Sequence, residues 1–132
     1  MDIGALTSAS PVIQTHAYAA LAAMGLGAAQ LAAPKGTGRH RAMGFSWAAL
    51  MLTVVGTSFF IHTIRTFGPF SPIHILSLFT LIVVPLAVLA ARRGMTAQHR
   101  QSMIWIYALA LVVTGLFTLW PGRIMHKVVF GP

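Results

Sequence analysis

The chain has 132 residues, 57% of them hydrophobic and 8% charged, against about a quarter charged in soluble domains, so it is composed for lipid. Asp2 is the one acidic residue and there is no cysteine, which excludes paired-carboxylate hydrolysis, Ser-His-Asp triads, carboxylate-bridged metals, thiolate metal sites and disulfides. The net charge of +8 sits beside apolar runs, which points to an anionic lipid surface and away from nucleic acid.

The length sets one domain as the ceiling. The N-terminus carries Asp2 in place of a basic region and reads as a short tail, not a signal peptide. A transmembrane helix needs about 20 mostly apolar residues, and four windows meet this in turn: 11–33, 42–64, 72–91 and 102–120. They are joined by the short connections "PKGTGRHR", "RTFGPFS" and "RRGMTAQHR". Short connections make successive helices antiparallel neighbours, so the expected fold is all-α, an up-down-up-down four-helix transmembrane bundle. Pro85 inside the third window predicts a kink, and the tail "GRIMHKVVF" predicts a short interfacial segment.

The first and third connections hold Lys35, Arg39, Arg41, Arg92, Arg93 and Arg100, whereas the opposite side holds Arg65, Arg123 and Lys127. The positive-inside rule therefore predicts that the first side is cytoplasmic, with anionic lipid at its face, and that both termini lie across the membrane, periplasmic in a bacterial inner membrane.

The two halves also resemble each other. Ser10-Pro11 and Ser71-Pro72 open the first and third spans, with Ser suited to the N-cap and Pro to the first helical position. His16 and His74 follow, and His-Arg pairs, His40-Arg41 and His99-Arg100, precede the second and fourth spans. The spacing from His16 to His40 is 24 residues and from His74 to His99 is 25. Two hairpins written alike predict a pseudo-two-fold axis along the membrane normal.

That topology sorts the histidines by depth. His16 and His74 face each other near the outer side, with His62 also at that end and His126 beyond the fourth span. His40 and His99 face each other near the inner side. Each pair is diagonal in a four-helix bundle, the arrangement that holds haem b between two axial imidazoles. Arg41, Arg100 and Arg123 are the candidate partners of the haem propionates. The small-residue face His16, Ala20, Ala23 and Gly27 offers a place for a flat macrocycle.

Two other readings stand beside this one. Small-residue faces also serve close helix packing, and a His-Arg pair at a membrane boundary also serves as an interface anchor. A cofactor-free accessory or scaffold subunit of a larger redox or respiratory membrane complex is therefore an alternative. Another is a copper or zinc handling protein using His16, His62 and His74. Trp47, Trp105, Trp120, Tyr18 and Tyr107 read as belt and packing residues. With no acidic residue in the spans, a transporter is disfavoured, and a redox carrier or accessory subunit is expected rather than a hydrolase or transferase.

The segments "HRAMGFSW", "FSPIHILSLFTLIVVPLAVLAARRG", "AQHRQSMIWIY" and "GLFTLWPGRIMH" resemble a family of small predicted bacterial membrane proteins built on a domain of unknown function, over roughly residues 12 to 130. The resemblance implies a four-span, stand-alone membrane protein and no particular activity. In histidine layout alone the chain is also similar to transmembrane di-haem cytochromes b of the ascorbate-dependent and ferric-reductase type. His16, His74, His40 and His99 hold the matching positions. Ligands in those proteins lie deeper in their helices than His40 and His99, so the resemblance favours the outer pair.

Overall fold

A computed structural model describes residues 1–60 and 72–131 of the chain. Among the described residues every regular element is helical and there is no strand: α1 (Gly4–Thr7), α2 (Pro11–Ala32), α3 (Gly38–Ser58), α4 (Pro72–Arg92), α5 (Thr96–Ile106), a π-helical segment (Tyr107–Val113), α6 (Thr114–Thr118) and α7 (Ile124–Phe130). Ser10 caps α2 as its sequence suggests, its Oγ accepting the Ile13 N–H at 3.3 Å, with Pro11 at the first helical position. The corresponding Ser71 lies outside the described residues.

Two helices begin earlier than their apolar windows do. Thr37 Oγ1 accepts the His40 N–H at 3.0 Å and so starts α3 at Gly38, ahead of Ala42. α5 starts at Thr96, ahead of Ser102. Both His-Arg pairs therefore ride on the first turns of helices and not on loops. α4 ends in a Schellman motif: Gly94 adopts φ +74°, its N–H reaches the Ala91 carbonyl at 3.2 Å, and the Met95 N–H reaches the Ala90 carbonyl at 2.9 Å. Pro85 sits inside α4, which runs on through it to Arg92.

α2 packs on α3, α3 on α4 and α4 on α5, and the π segment returns to α2, closing a ring of four. Neighbours run antiparallel. His16 near the start of α2 meets Val54 and Thr57 near the end of α3, Arg92 at the end of α4 lies over Phe45 near the start of α3, and His99 in α5 meets Ala87 in α4. Outside the ring α1 packs on α7, and the Asp2 N–H donates to the Val128 carbonyl at 3.1 Å. The C-terminal tail is thus helical over Ile124–Phe130, and the N-terminal tail is not bare: it forms a helical turn that partners α7.

Among the described residues two stretches are long and apolar enough to cross a membrane: His74–Arg92, with mean hydropathy 2.4, and Thr96–Thr118, with 1.6. α2 and α3 fall short of them. α2 is rich in Ala and Gly, and α3 opens with Arg39, His40 and Arg41. Gln14, His16 and Gln30 lower the hydropathy of α2, and its small side chains are what close helix packing needs.

The packing shows this at Gly27. A Cβ there would stand 2.6 Å from Tyr107 Cε2, 2.8 Å from its Cδ2 and 2.9 Å from Trp47 Nε1. With that space open, Trp47 Nε1–H donates to the Ala23 carbonyl at 3.1 Å and Tyr107 O–H to the Met24 carbonyl at 2.8 Å. These are adjacent carbonyls of α2, each with a second lone pair to offer. Ala23, Trp47, Met51, Val84, Ala87, Ile106 and Leu111 complete the buried centre. The π segment begins at the very residue whose ring occupies the notch, Tyr107.

Adding a methyl group at Gly27 forces two rings to move, so Gly27→Ala should destabilise the protein by about 1–3 kcal/mol. Gly25 has nothing within 4 Å of its built Cβ, and Gly25→Ala should be neutral or stabilise by up to about 1 kcal/mol. Thermal unfolding of both variants in detergent checks the contrast; equal melting temperatures would remove Gly27 from its place at the centre.

Candidate functional site

The inward face of α4 is written at helical spacing by His74, Ser77, Thr80, Val84, Ala87 and Ala90, all buried. Its outward face is Ile75, Leu78, Phe79, Leu81, Ile82, Leu86 and Leu89, all exposed. Large aliphatic side chains point out and small or polar ones point in, as suits a helix whose surroundings are lipid. The first two turns of that inward face make a polar end to the bundle. Ser77 Oγ lies 2.5 Å from Ser58 Oγ, which also donates to the Val55 carbonyl at 2.6 Å, and Thr80 Oγ1 donates to the Leu76 carbonyl at 2.9 Å. His74, 5% exposed, stands 6.0 Å from the Phe59 ring, centroid to centroid, at 43°.

His16 reaches this end from the other flank of α3. Its Nδ1 lies 3.0 Å from both the Val54 carbonyl and Thr57 Oγ1. A carbonyl only accepts, so Nδ1 carries the proton and Nε2 keeps its lone pair. His16 and His74 thus both adjoin the C-terminal end of α3, His16 at Thr57 and His74 at Phe59. His62, the third residue of the proposed copper or zinc cluster, lies outside the described residues. Among the described residues no three His, Asp or Glu side chains converge on a metal site. His126 serves the local fold, where its Nδ1–H donates to the Leu119 carbonyl at 2.7 Å and its ring packs on Phe130 at 4.9 Å.

The opposite end is built from the α2–α3 and α4–α5 turns. Lys35 Nζ folds back and donates to the Gln30, Leu31 and Ala33 carbonyls at 2.5, 2.8 and 2.9 Å, satisfying the end of α2. Gln30 Nε2 donates to the His40 carbonyl at 2.6 Å and so ties α2 to the first turn of α3. The His99 Nδ1–H donates to the Ala87 carbonyl at 2.8 Å, leaving Nε2 as its lone-pair nitrogen. His40 and His99 sit on helices diagonal in the ring, close enough that charge on His99 disfavours charge on His40. Two buried atoms here have no hydrogen-bond partner among the described residues, Gln30 Oε1 and His40 Nδ1. Arg41 and Arg100 beside them are exposed, and Arg123 is at the other end, on the N-cap of α7.

Tested against haem, the donor chemistry fits. His16 and His99 are held by carbonyls at Nδ1, the outer-shell bond that presents Nε2 to an iron. The middle of the bundle does not fit. The small-residue face of α2 is no slot for a macrocycle, because Trp47 and Tyr107 fill it at Gly27 and Ala23 is wholly buried. Any haem therefore belongs to the end layers. The aromatic residues divide accordingly: Trp47 is in the core and Tyr107 bonds to α2, whereas Tyr18, Trp105 and Trp120 lie on the surface.

Sequence reasoning missed Thr57, Ser58, Ser77, Thr80 and Gln30. For α4 the signal was present, since Ser77 and Thr80 continue the helical face that His74 begins, in a helix otherwise aliphatic. For Gln30 there was none, because its role depends on where the chain turns back.

The chain belongs to a family described as predicted membrane protein (DUF2306), whose family model matches residues 13–130. No curated protein and no solved structure matches it.

His40 lies ahead of the apolar window of α3, and desolvation, then the Lys35 charge, then His99 hold its pKa below the ordinary 6.5. The unfolded chain therefore takes up a proton at His40 before the folded one does. The stability this residue contributes is full above 6.5 and is lost as pH falls through the folded pKa. In an NMR titration His40 should be half-protonated below 6.5, and Lys35→Met should shift that midpoint upward; a wild-type midpoint at or above 6.5 would contradict the assignment.

Proposed function

We propose that the protein is a four-span bundle of the bacterial inner membrane, with both termini periplasmic, that binds haem b and carries electrons across the bilayer. What supports the reading is that His40 and His99 both lie on the first turns of helices diagonal in the ring, α3 and α5, at the basic end. His99 is already oriented by its bond to Ala87, and Arg41 and Arg100 lie beside the pair to meet the carboxylates of a haem. His16 and His74 are the ligand pair at the polar end, where His16 is oriented by Val54. Haem, when bound, supplies one-electron redox chemistry. The residues of this chain hold the ligand imidazoles, offer cations at the rim, and keep water out of the middle with Trp47, Met51, Ile106 and Tyr107.

A second reading is a haem-free accessory subunit of a larger redox or respiratory membrane complex. The filled centre around Gly27 favours it, because this bundle closes on its own side chains. In either case the six cations of the α2–α3 and α4–α5 ends face anionic lipid in the cytoplasmic leaflet.

Protein purified in detergent from haem-replete cells should show a Soret band and sharp reduced α and β bands after dithionite. His40→Ala and His16→Ala should each remove about half of the colour if both pairs bind. Loss with His40→Ala alone leaves one haem at the basic end, and a colourless, metal-free preparation would overturn the haem reading in favour of the accessory subunit.

Orientation has its own test, because the chain has no cysteine. In intact spheroplasts a membrane-impermeant maleimide should label Pro121→Cys and spare Pro34→Cys until the membrane is opened. The reverse pattern would invert the topology.

A further inference from the structure

On the outside of the bundle a groove of about 360 Å³ runs between α3 and α4, lined by Ala48, Leu52, Val84, Val88, Leu89 and Arg92. Its floor is Ala48 and Val84, which are buried, and its walls are Leu52 and Leu89, which are exposed. Ala48 is small enough to leave depth between the two helices. Pro85, also on the lining, has no N–H to present to a polar occupant.

Arg92 closes one end. It is the last residue of α4, held there by the Gly94 turn, and its guanidinium lies 5.8 Å from the centroid of the Phe45 ring. The only carboxylate side chain in the protein is that of Asp2, on the terminal turn that packs on α7, so α4 and its neighbours offer Arg92 no counter-ion.

The groove has the length of one leaflet. From Val84 to Arg92, α4 rises about 12 Å at 1.5 Å per residue. Half of the hydrocarbon core is about 15 Å. Arg92 ends the apolar stretch His74–Arg92, and Val84 stands near its middle. The groove therefore runs from the mid-plane to the headgroup level of one leaflet, apolar throughout and cationic at its mouth.

We infer that this groove binds one acyl chain of an anionic glycerophospholipid whose phosphate rests on Arg92. The site is independent of the histidine pairs, and it is on the basic side of the bundle. Phe45 holds the guanidinium at the mouth from one flank and leaves its N–H groups for phosphate oxygens.

Native mass spectrometry of the detergent-purified protein, titrated with phosphatidylglycerol or phosphatidylcholine, tests this. The first phosphatidylglycerol should bind about tenfold more tightly than the first phosphatidylcholine, whose quaternary ammonium offsets the phosphate charge that Arg92 meets, and inorganic phosphate should not displace it. Arg92→Gln should abolish that preference, and Arg93→Gln, one residue on and off the groove, should keep it. Val88→Trp, checked for an unchanged melting temperature, should weaken the first site for both lipids. Equal binding of the two lipids by the wild type, equal losses in Arg92→Gln and Arg93→Gln, or displacement by inorganic phosphate would each overturn the assignment.

Discussion

The bundle depends on a missing side chain. Because Gly27 has no Cβ, the rings of Trp47 and Tyr107 lie against the backbone of α2 and donate to the adjacent carbonyls of Ala23 and Met24. In a lipid interior there is no water to satisfy an indole N–H or a phenol O–H, so each needs a protein acceptor. α2 supplies both within one turn. Three helices are thereby fixed at one level, and the remaining core residues, Met51, Val84, Ile106 and Leu111, pack around that junction. The same junction decides what the centre can hold. Filled by two aromatic rings, it has no room there for a further group.

The ends differ in kind. At the junction of α3 and α4 the interior is polar without a fixed charge: Ser58, Ser77 and Thr80 use their hydroxyls on each other and on helix carbonyls, and His16 uses Nδ1 on α3. At the other end the polar groups are cationic or titratable, and much of their bonding serves the turn itself. Lys35 caps α2 and Gln30 staples α2 to α3. One of the six cations of this end is therefore also a helix cap. Desolvation and the neighbouring cation keep His40 neutral to a lower pH than a free imidazole, and a neutral imidazole is the form that can act as a ligand.

Much of this was legible in the residues, for reasons that can be named. Ser10-Pro11 announced the start of α2 because cap and first-turn preferences are local. The short connections announced the antiparallel order, and the paired His-Arg motifs announced which helices share an end. The helix starts differ from the window edges because apolar windows mark where lipid begins, whereas Thr37 marks where hydrogen bonding begins. The α2 stripe was ambiguous between a slot and a packing face. Only the identity of the side chains opposite, Trp47 from the next helix and Tyr107 from the last, separates the two.

By itself, then, the sequence determined the helical class, the membrane setting, the pairing of successive helices and the end to which His16, His74, His40 and His99 go. These follow from composition, local caps and loop length, which act over a few residues. Only the tertiary structure decided that the small-residue face of α2 is filled, that His16 turns to α3, that Ser58 meets Ser77, and that Arg92 closes an apolar groove. Each of these is a contact between residues far apart in the chain, set by how whole helices rotate against one another. No local preference encodes that rotation; the fit of rings at Gly27 does.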